Sequence, residues 1–210
     1  MVITVRDVSD ADIARACEIE SLAYKDNPLG PIIAPGPFPL DSTQKNIQRL
    51  INMRKEDPTT HYVQAYDEDA GKMAAFAKWN FFETPDAAAA SVKPPNIGAG
   101  MNKEACILYL GGLAERKKEL MGDKPHIYLH MLITDPDFQG RGAGGILLNW
   151  GTKKADELGL PMYLESSKMG HRFYQKRGFK DVETFGIDFS PFGGPIHEQP
   201  LMIREPSKAS

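Results

Sequence analysis

Apolar positions along the chain recur with two periods, and the switches between them lay out strands and helices. Val2–Val5 alternates at period two and reads as a strand. Ile13, Ala16, Cys17, Ile19 and Leu22 then share one helical face, with Ser9 or Asp10 placed to cap it. Prolines at 28, 31, 35, 37 and 39 exclude helix and central strand from Lys25–Leu40, leaving an ordered loop or lid, or a plain connector. A second helix restarts at Asp41 or Ser42 and runs through Ile47, Leu50 and Ile51 toward Arg54. His61–Tyr66 and Met73–Phe82 follow as an antiparallel pair around the turn DEDAGK, with Met73, Ala75, Ala77 and Trp79 on one face and Ala74, Phe76 and Lys78 on the other. Thr84–Gly100 is irregular. Lys103–Met121 regains helical spacing, with Gly111-Gly112 as a break, and residues 84–126 read as an insertion between strands.

Ile127–Thr134 is an apolar run that reads as a buried strand. After Asp135-Pro136 comes the segment Gln139-Gly140-Arg141-Gly142-Ala143-Gly144-Gly145, and then Ile146, Leu147, Trp150, Ala155 and Leu158 at helical spacing up to Gly159. Pro161–Glu165 is a short strand and Lys168–Lys176 a short helix stopped by Gly178. Phe179–Phe189 and Ile196–Arg204 are two more strands. The sum is a mixed α/β domain around one twisted sheet of about seven strands flanked by helices, one domain over residues 1–210 with a short tail at 205–210.

Strand, glycine loop and helix start together suit a phosphate: glycines admit close approach, and free N–H groups at the helix start attract the anion. Gly140-x-Gly142-x-x-Gly145 fits a dinucleotide pattern, with Glu165 at the end of the next strand where a ribose-binding acid belongs. Gln139-x-x-Gly142-x-Gly144 also fits Q/R-x-x-G-x-G/A, which resembles the acyl-CoA pyrophosphate loop of the GNAT N-acetyltransferases. Placement favours the second reading. Five residues, Asp135–Gln139, separate strand from loop, and only 45 residues follow Glu165, too few for the strands a dinucleotide fold still owes.

Hydrophobic content of 41% and charged content of 25% are those of a soluble globular protein. A net charge of −3 without a basic cluster argues against nucleic acid, and no window is apolar enough for a membrane span. Cys17 and Cys106 have neither disulfide-framework nor metal-ligand spacing, so no metal is expected. Reduced thiols and an N-terminus without a leader pattern point to the cytoplasm.

Three segments resemble the GNAT superfamily of N-acetyltransferases in order: VRDVSDADIARACEIE its first strand and helix, LHMLITDPDFQGRGAG its fourth strand and cofactor loop, and FYQKRGF the segment carrying its tyrosine. PHIYLHML…QGRGAG…WG…AD…GLP also looks like a fungal-type branch of small-molecule acetyltransferases. The resemblance implies a GNAT fold, acetyl-CoA as acyl donor and a small-molecule amine as acceptor, in a monomer or homodimer. It places the main chain of Leu132 and Thr134 against pantetheine. Gln139, Gly140, Arg141, Gly142, Ala143, Gly144 and Gly145 surround the pyrophosphate, and Tyr174 stands at the departing sulfur. A tyrosine merely packed beside Phe173 would satisfy the same pattern.

The base has several candidates: His130, aligned with a histidine of arylalkylamine-acetyltransferase-like members, then Glu165, then Glu83. A structural histidine and a loop-fixing carboxylate remain open alternatives for the first two. His126 and His171, at segment edges, read as surface or loop residues. Where many members carry a cofactor-contacting asparagine, this chain has Ser166, Ser167 and Lys168. Direct transfer in a ternary complex is the expected chemistry. The alternatives are an acyl-CoA-binding module without catalysis and an NAD(P)-dependent enzyme using Gly140, Gly142 and Gly145.

Overall fold

The computed structural model describes residues 2–207. Among them, seven strands form one sheet: β1 (Ile3–Asp7), β2 (Thr60–Asp67), β3 (Lys72–Phe82), β4 (His126–Thr134), β5 (Met162–Glu165), β6 (Lys180–Asp188) and β7 (Ile196–Arg204), in the order β1-β2-β3-β4-β5-β7-β6. The helices are α1 (Ile13–Ala23), α2 (Gly30–Ile33), α3 (Ser42–Glu56), α4 (Pro85–Ala89), α5 (Lys103–Cys106), α6 (Gly112–Met121), α7 (Ala143–Leu158) and α8 (His171–Gln175). Pairing is antiparallel at β1–β2, β2–β3, β5–β7 and β6–β7, and parallel at β4–β5, where Ile127 faces Met162 and Tyr128 faces Tyr163. This is the mixed α/β sheet expected from the sequence.

The chain packs as two compact units. One comprises the residues up to Asp26 with Leu40–Phe81 and Leu129–Leu158; the other comprises Asn27–Pro39, Phe82–Tyr128 and the residues from Gly159 on.

In the first unit the main-chain N–H and hydroxyl of Ser9 both donate to Asp12, at 2.8 and 2.7 Å, which turns the chain through a 3-10 step into α1. The apolar faces of α1 and α3 close over Tyr62, Met73, Phe76 and Ile133. Strand β3 is buried from Met73 through Phe82, so its polar–apolar alternation disappears. The expected faces of β3 also need one correction. Ala65 pairs with Ala75 and Tyr66 with Met73, so Ala74 is bulged out and Met73 joins the face of Phe76 rather than that of Ala75. Trp79 is fully buried against α7, where a Cβ on Gly151 would lie 2.3 Å from the indole. Glycine is what lets that helix approach.

In the second unit four sequence expectations are revised. The proline-rich segment does hold one helical turn, α2, because Pro31 sits in its first turn where no N–H is needed. Within the irregular stretch, Thr84 caps α4 by accepting the Ala87 N–H at 3.2 Å, with Pro85 again in the first turn. Gly111-Gly112 does not end the 103–121 helix. A π-helical turn over Ile107–Gly111 joins α5 to α6, and Gly112 makes room for the Phe185 ring, which a Cβ would meet at 2.8 Å.

His126 is the fourth revision: it is buried, at 0% exposure, beside the Phe82 ring at 5.0 Å. Its Nδ1 lies 2.7 Å from the Lys124 carbonyl, so the neutral ring donates there and Nε2 is left without a partner among the described residues. Burial, aided by nearby Lys117, pushes its pKa from 6.5 down to about 4. The unfolded chain therefore takes up a proton that the folded chain refuses as pH falls below about 6.5, and stability drops until about pH 4. At ~1.4 kcal/mol per unit the loss is on the order of 3 kcal/mol. His126→Phe is expected to flatten the urea-unfolding stability profile between these limits. A slope unchanged in the variant would count against a neutral buried ring.

Candidate active site

The glycine segment is built as its composition suggests. Gly140 and Gly142 have φ of +73° and +89°, values that exclude most side chains, and nothing lies within 4 Å of where their Cβ atoms would be. The backbone there is open to a ligand. The first α7 hydrogen bond runs from the Ile146 N–H to the Gly142 carbonyl at 3.0 Å. The N–H groups of Ala143, Gly144 and Gly145 thus carry no helical partner. Gly144 packs against β4, its Cβ position 3.2 Å from the Thr134 hydroxyl. Gln139 and Arg141 are exposed, the Arg141 guanidinium resting 5.4 Å from the Phe138 ring centre, while Leu132 and Thr134 are half-buried on β4.

What holds this loop is a pair of residues that sequence reading passed over. Asp135, 2% exposed, closes β4 and starts the 3-10 turn Pro136–Phe138 by accepting the Asp137 N–H at 2.9 Å. Its own N–H donates to the carbonyl of the bulged Ala74 at 2.9 Å. Its other carboxylate oxygen pairs with Arg15 of α1, which also donates to the Met73 carbonyl at 3.4 Å. Helix α1, the β3 bulge and the start of the loop are therefore fastened at one point. Arg15 looked like an ordinary polar position on an amphipathic helix, and nothing local to Asp135 announces a partner 120 residues away.

His130 is exposed on β4 and lines a cavity in the first unit with Glu20, Arg49 and Lys78, three residues the sequence did not single out. Glu165 and Tyr174 belong to the second unit. Glu165 ends β5, and the Tyr128 hydroxyl donates to its carboxylate at 2.7 Å. Burial raises its pKa above the carboxylate range, although Tyr128 and the Lys117 ammonium pull the other way. Tyr174 is half-buried on α8. Its ring meets Phe173 at 5.2 Å and Phe179 at 5.7 Å edge-on, and Gly170 leaves it room, since a Cβ there would come within 2.9 Å. Glu83 is exposed just past β3. His171 is half-buried, with its Nε2 2.6 Å from Asp181 at the protein surface. No group of three or more His, Cys, Asp or Glu side chains among the described residues could hold a metal ion. No helix among them is long and apolar enough to cross a membrane.

A mixed seven-stranded sheet whose fourth strand runs through a short turn into a glycine loop and helix is the architecture of acyl-CoA-dependent acetyltransferases. The sequence profile of the acetyltransferase (GNAT) family matches residues 31–179, and the chain belongs to that family, which uses acetyl-CoA. It is 37% identical over 91 residues to an uncharacterized N-acetyltransferase of Schizosaccharomyces pombe, a match covering 43% of this chain and 39% of that relative. The chain thus spans well under half of that protein. In fold it is similar to the histone acetyltransferase HPA2-related protein of Corynebacterium glutamicum, with a TM-score of 0.63, 20% identity, and 100% and 99% of the two chains covered. It is similar as well to yncA of Salmonella typhimurium, solved with its cofactor acetyl-CoA, with a TM-score of 0.60, 13% identity, and 100% and 97% covered.

Proposed function

We propose that the protein transfers the acetyl group of acetyl-CoA directly to the amine of a small molecule, both substrates being bound at once. The observation that carries this reading is the loop itself: two open, positive-φ glycines followed by three N–H groups without a helical partner among the described residues, at the head of a 16-residue helix. Those groups suit a pyrophosphate. Leu132 and Thr134 lie on β4 beyond Tyr128, the last residue paired with β5, and their main chain is proposed to receive the pantetheine arm. In the transfer, the amine nitrogen bonds to the acetyl carbon as the C–S bond breaks. The amine gives up a proton to a base, and the thiolate takes one from the Tyr174 hydroxyl.

The melting temperature is expected to rise with excess acetyl-CoA or CoA and to stay unchanged with NAD or NADP. A rise with the dinucleotides alone would mean that Gly140, Gly142 and Gly145 serve the other ligand. Release of CoA on adding amines then separates an enzyme from a binding module.

Glu165 and His130 are the proposed bases, and pH–rate profiles distinguish them. A base must be unprotonated, so Glu165 predicts an acid limb in kcat/KM displaced above the usual carboxylate range, in line with its raised pKa. Glu165→Gln should remove that limb and His130→Ala should leave it. The reverse result assigns the role to His130, and a limb kept in both variants eliminates both.

A further inference from the structure

The first unit contains a cavity of about 130 Å³ lined by none of the glycine-loop residues. Its polar wall comes from four elements, with Glu20 of α1, Arg49 of α3, Lys78 of β3 and His130 of β4, and Leu50 and Phe76 add apolar surface. Lys78 is only 7% exposed and donates to the Met53 sulfur at 3.0 Å, Glu20 is half-buried, and Arg49 and His130 are exposed. The Glu20 carboxylate accepts no hydrogen bond among the described residues, which leaves its oxygens available to a ligand. Burial pushes its pKa up, and Arg49 and Lys78 draw it back. Arg49 donates from Nε and Nη2 to Asn46 at 3.2 and 2.7 Å, and its Nη1 edge is not used by that contact.

One carboxylate and two cations around a single void match a ligand that carries both signs of charge. Size narrows it further, since a cavity of ~150 Å³ admits benzene, so this one suits a core of about six heavy atoms. We propose that the cavity holds the acetyl acceptor and that the acceptor is a small amino acid, its ammonium against Glu20 and its carboxylate against Arg49 and Lys78. This rests on the acetyl-transfer reading and specifies its substrate class. His130 connects the two, standing on β4 four residues before Thr134 and facing the void.

The test is calorimetric titration of the CoA-saturated protein with alanine, β-alanine, ethylamine and propionate. Alanine or β-alanine should bind about tenfold or more tightly than either one-charge analogue. Arg49→Gln should erase that advantage over ethylamine, and Glu20→Gln should weaken every amine. Both variants should keep the acetyl-CoA melting shift, which reports an intact fold. Ethylamine binding as tightly as alanine in the wild type overturns the inference. So does amino-acid binding unchanged in both variants, or no binding of the four compounds at millimolar concentration while acetyl-CoA still shifts melting. Amino-acid binding without an acetyl-CoA shift overturns the acetyl-transfer reading and, with it, the acceptor role.

Discussion

Asp135→Ala is expected to destabilise the protein by about 2–3 kcal/mol, because Arg15 loses its buried partner while keeping the exposed Glu18 at 2.8 Å. Arg15 would keep its charge in a site where its side chain is 21% exposed and its Nε already lacks a partner among the described residues. The Asp137 N–H would lose its acceptor, and the 3-10 turn its start. The damage should not stop at stability, because the loop hangs from this point: acetyl-CoA affinity, measured by titration, should fall too. The double variant Arg15→Met/Asp135→Leu, which removes both charges, should lose less than the single variants added together in urea unfolding. Additive losses would show that the two residues do not act as a pair.

Tyr174→Phe is expected to lower kcat by about 100-fold or more, in the range for losing a positioned proton donor, with little change in the KM for acetyl-CoA. Phenylalanine keeps the edge contacts to Phe173 and Phe179 and fits the space beside Gly170, so packing survives and only the hydroxyl is lost. Single-turnover measurement with saturating acetyl-CoA isolates the chemical step. Unchanged turnover would return Tyr174 to a packing role.

Much of the fold was legible because local chemistry announces it. Ile196–Arg204 is a strand at the bounds its residues suggest, and the Gly140–Gly145 loop stands out because few residues other than glycine tolerate φ near +80°. Short helices inside proline-rich stretches escaped, since α2 and α4 depend on a proline at one permitted position rather than on periodicity. His126 was misread because the edge of a strand in sequence need not be an edge in space. The fastening of Arg15 to Asp135, and the meeting of Glu20, Arg49, Lys78 and His130, could not be read at all. Such groupings are products of tertiary contact, and Arg15, Glu20 and Arg49 taken alone look like ordinary surface charges.

An enzyme that handles an activated thioester exposes its own amines to acylation. Neutral amines react and ammonium ions do not, so the lysine most at risk on chemical grounds is the one whose pKa is depressed. Lys117 is such a lysine, lowered chiefly by burial. Its nitrogen lies 5.3 Å from the Phe82 ring centre and 4.6 Å from that of Tyr128, and it donates to the Ser91 carbonyl at 3.4 Å. The surroundings that make the amine reactive also keep the reagent away. In a sample aged with acetyl-CoA, mass spectrometry should find self-acetylation on exposed lysines such as Lys45 and leave Lys117 unmodified until the protein unfolds.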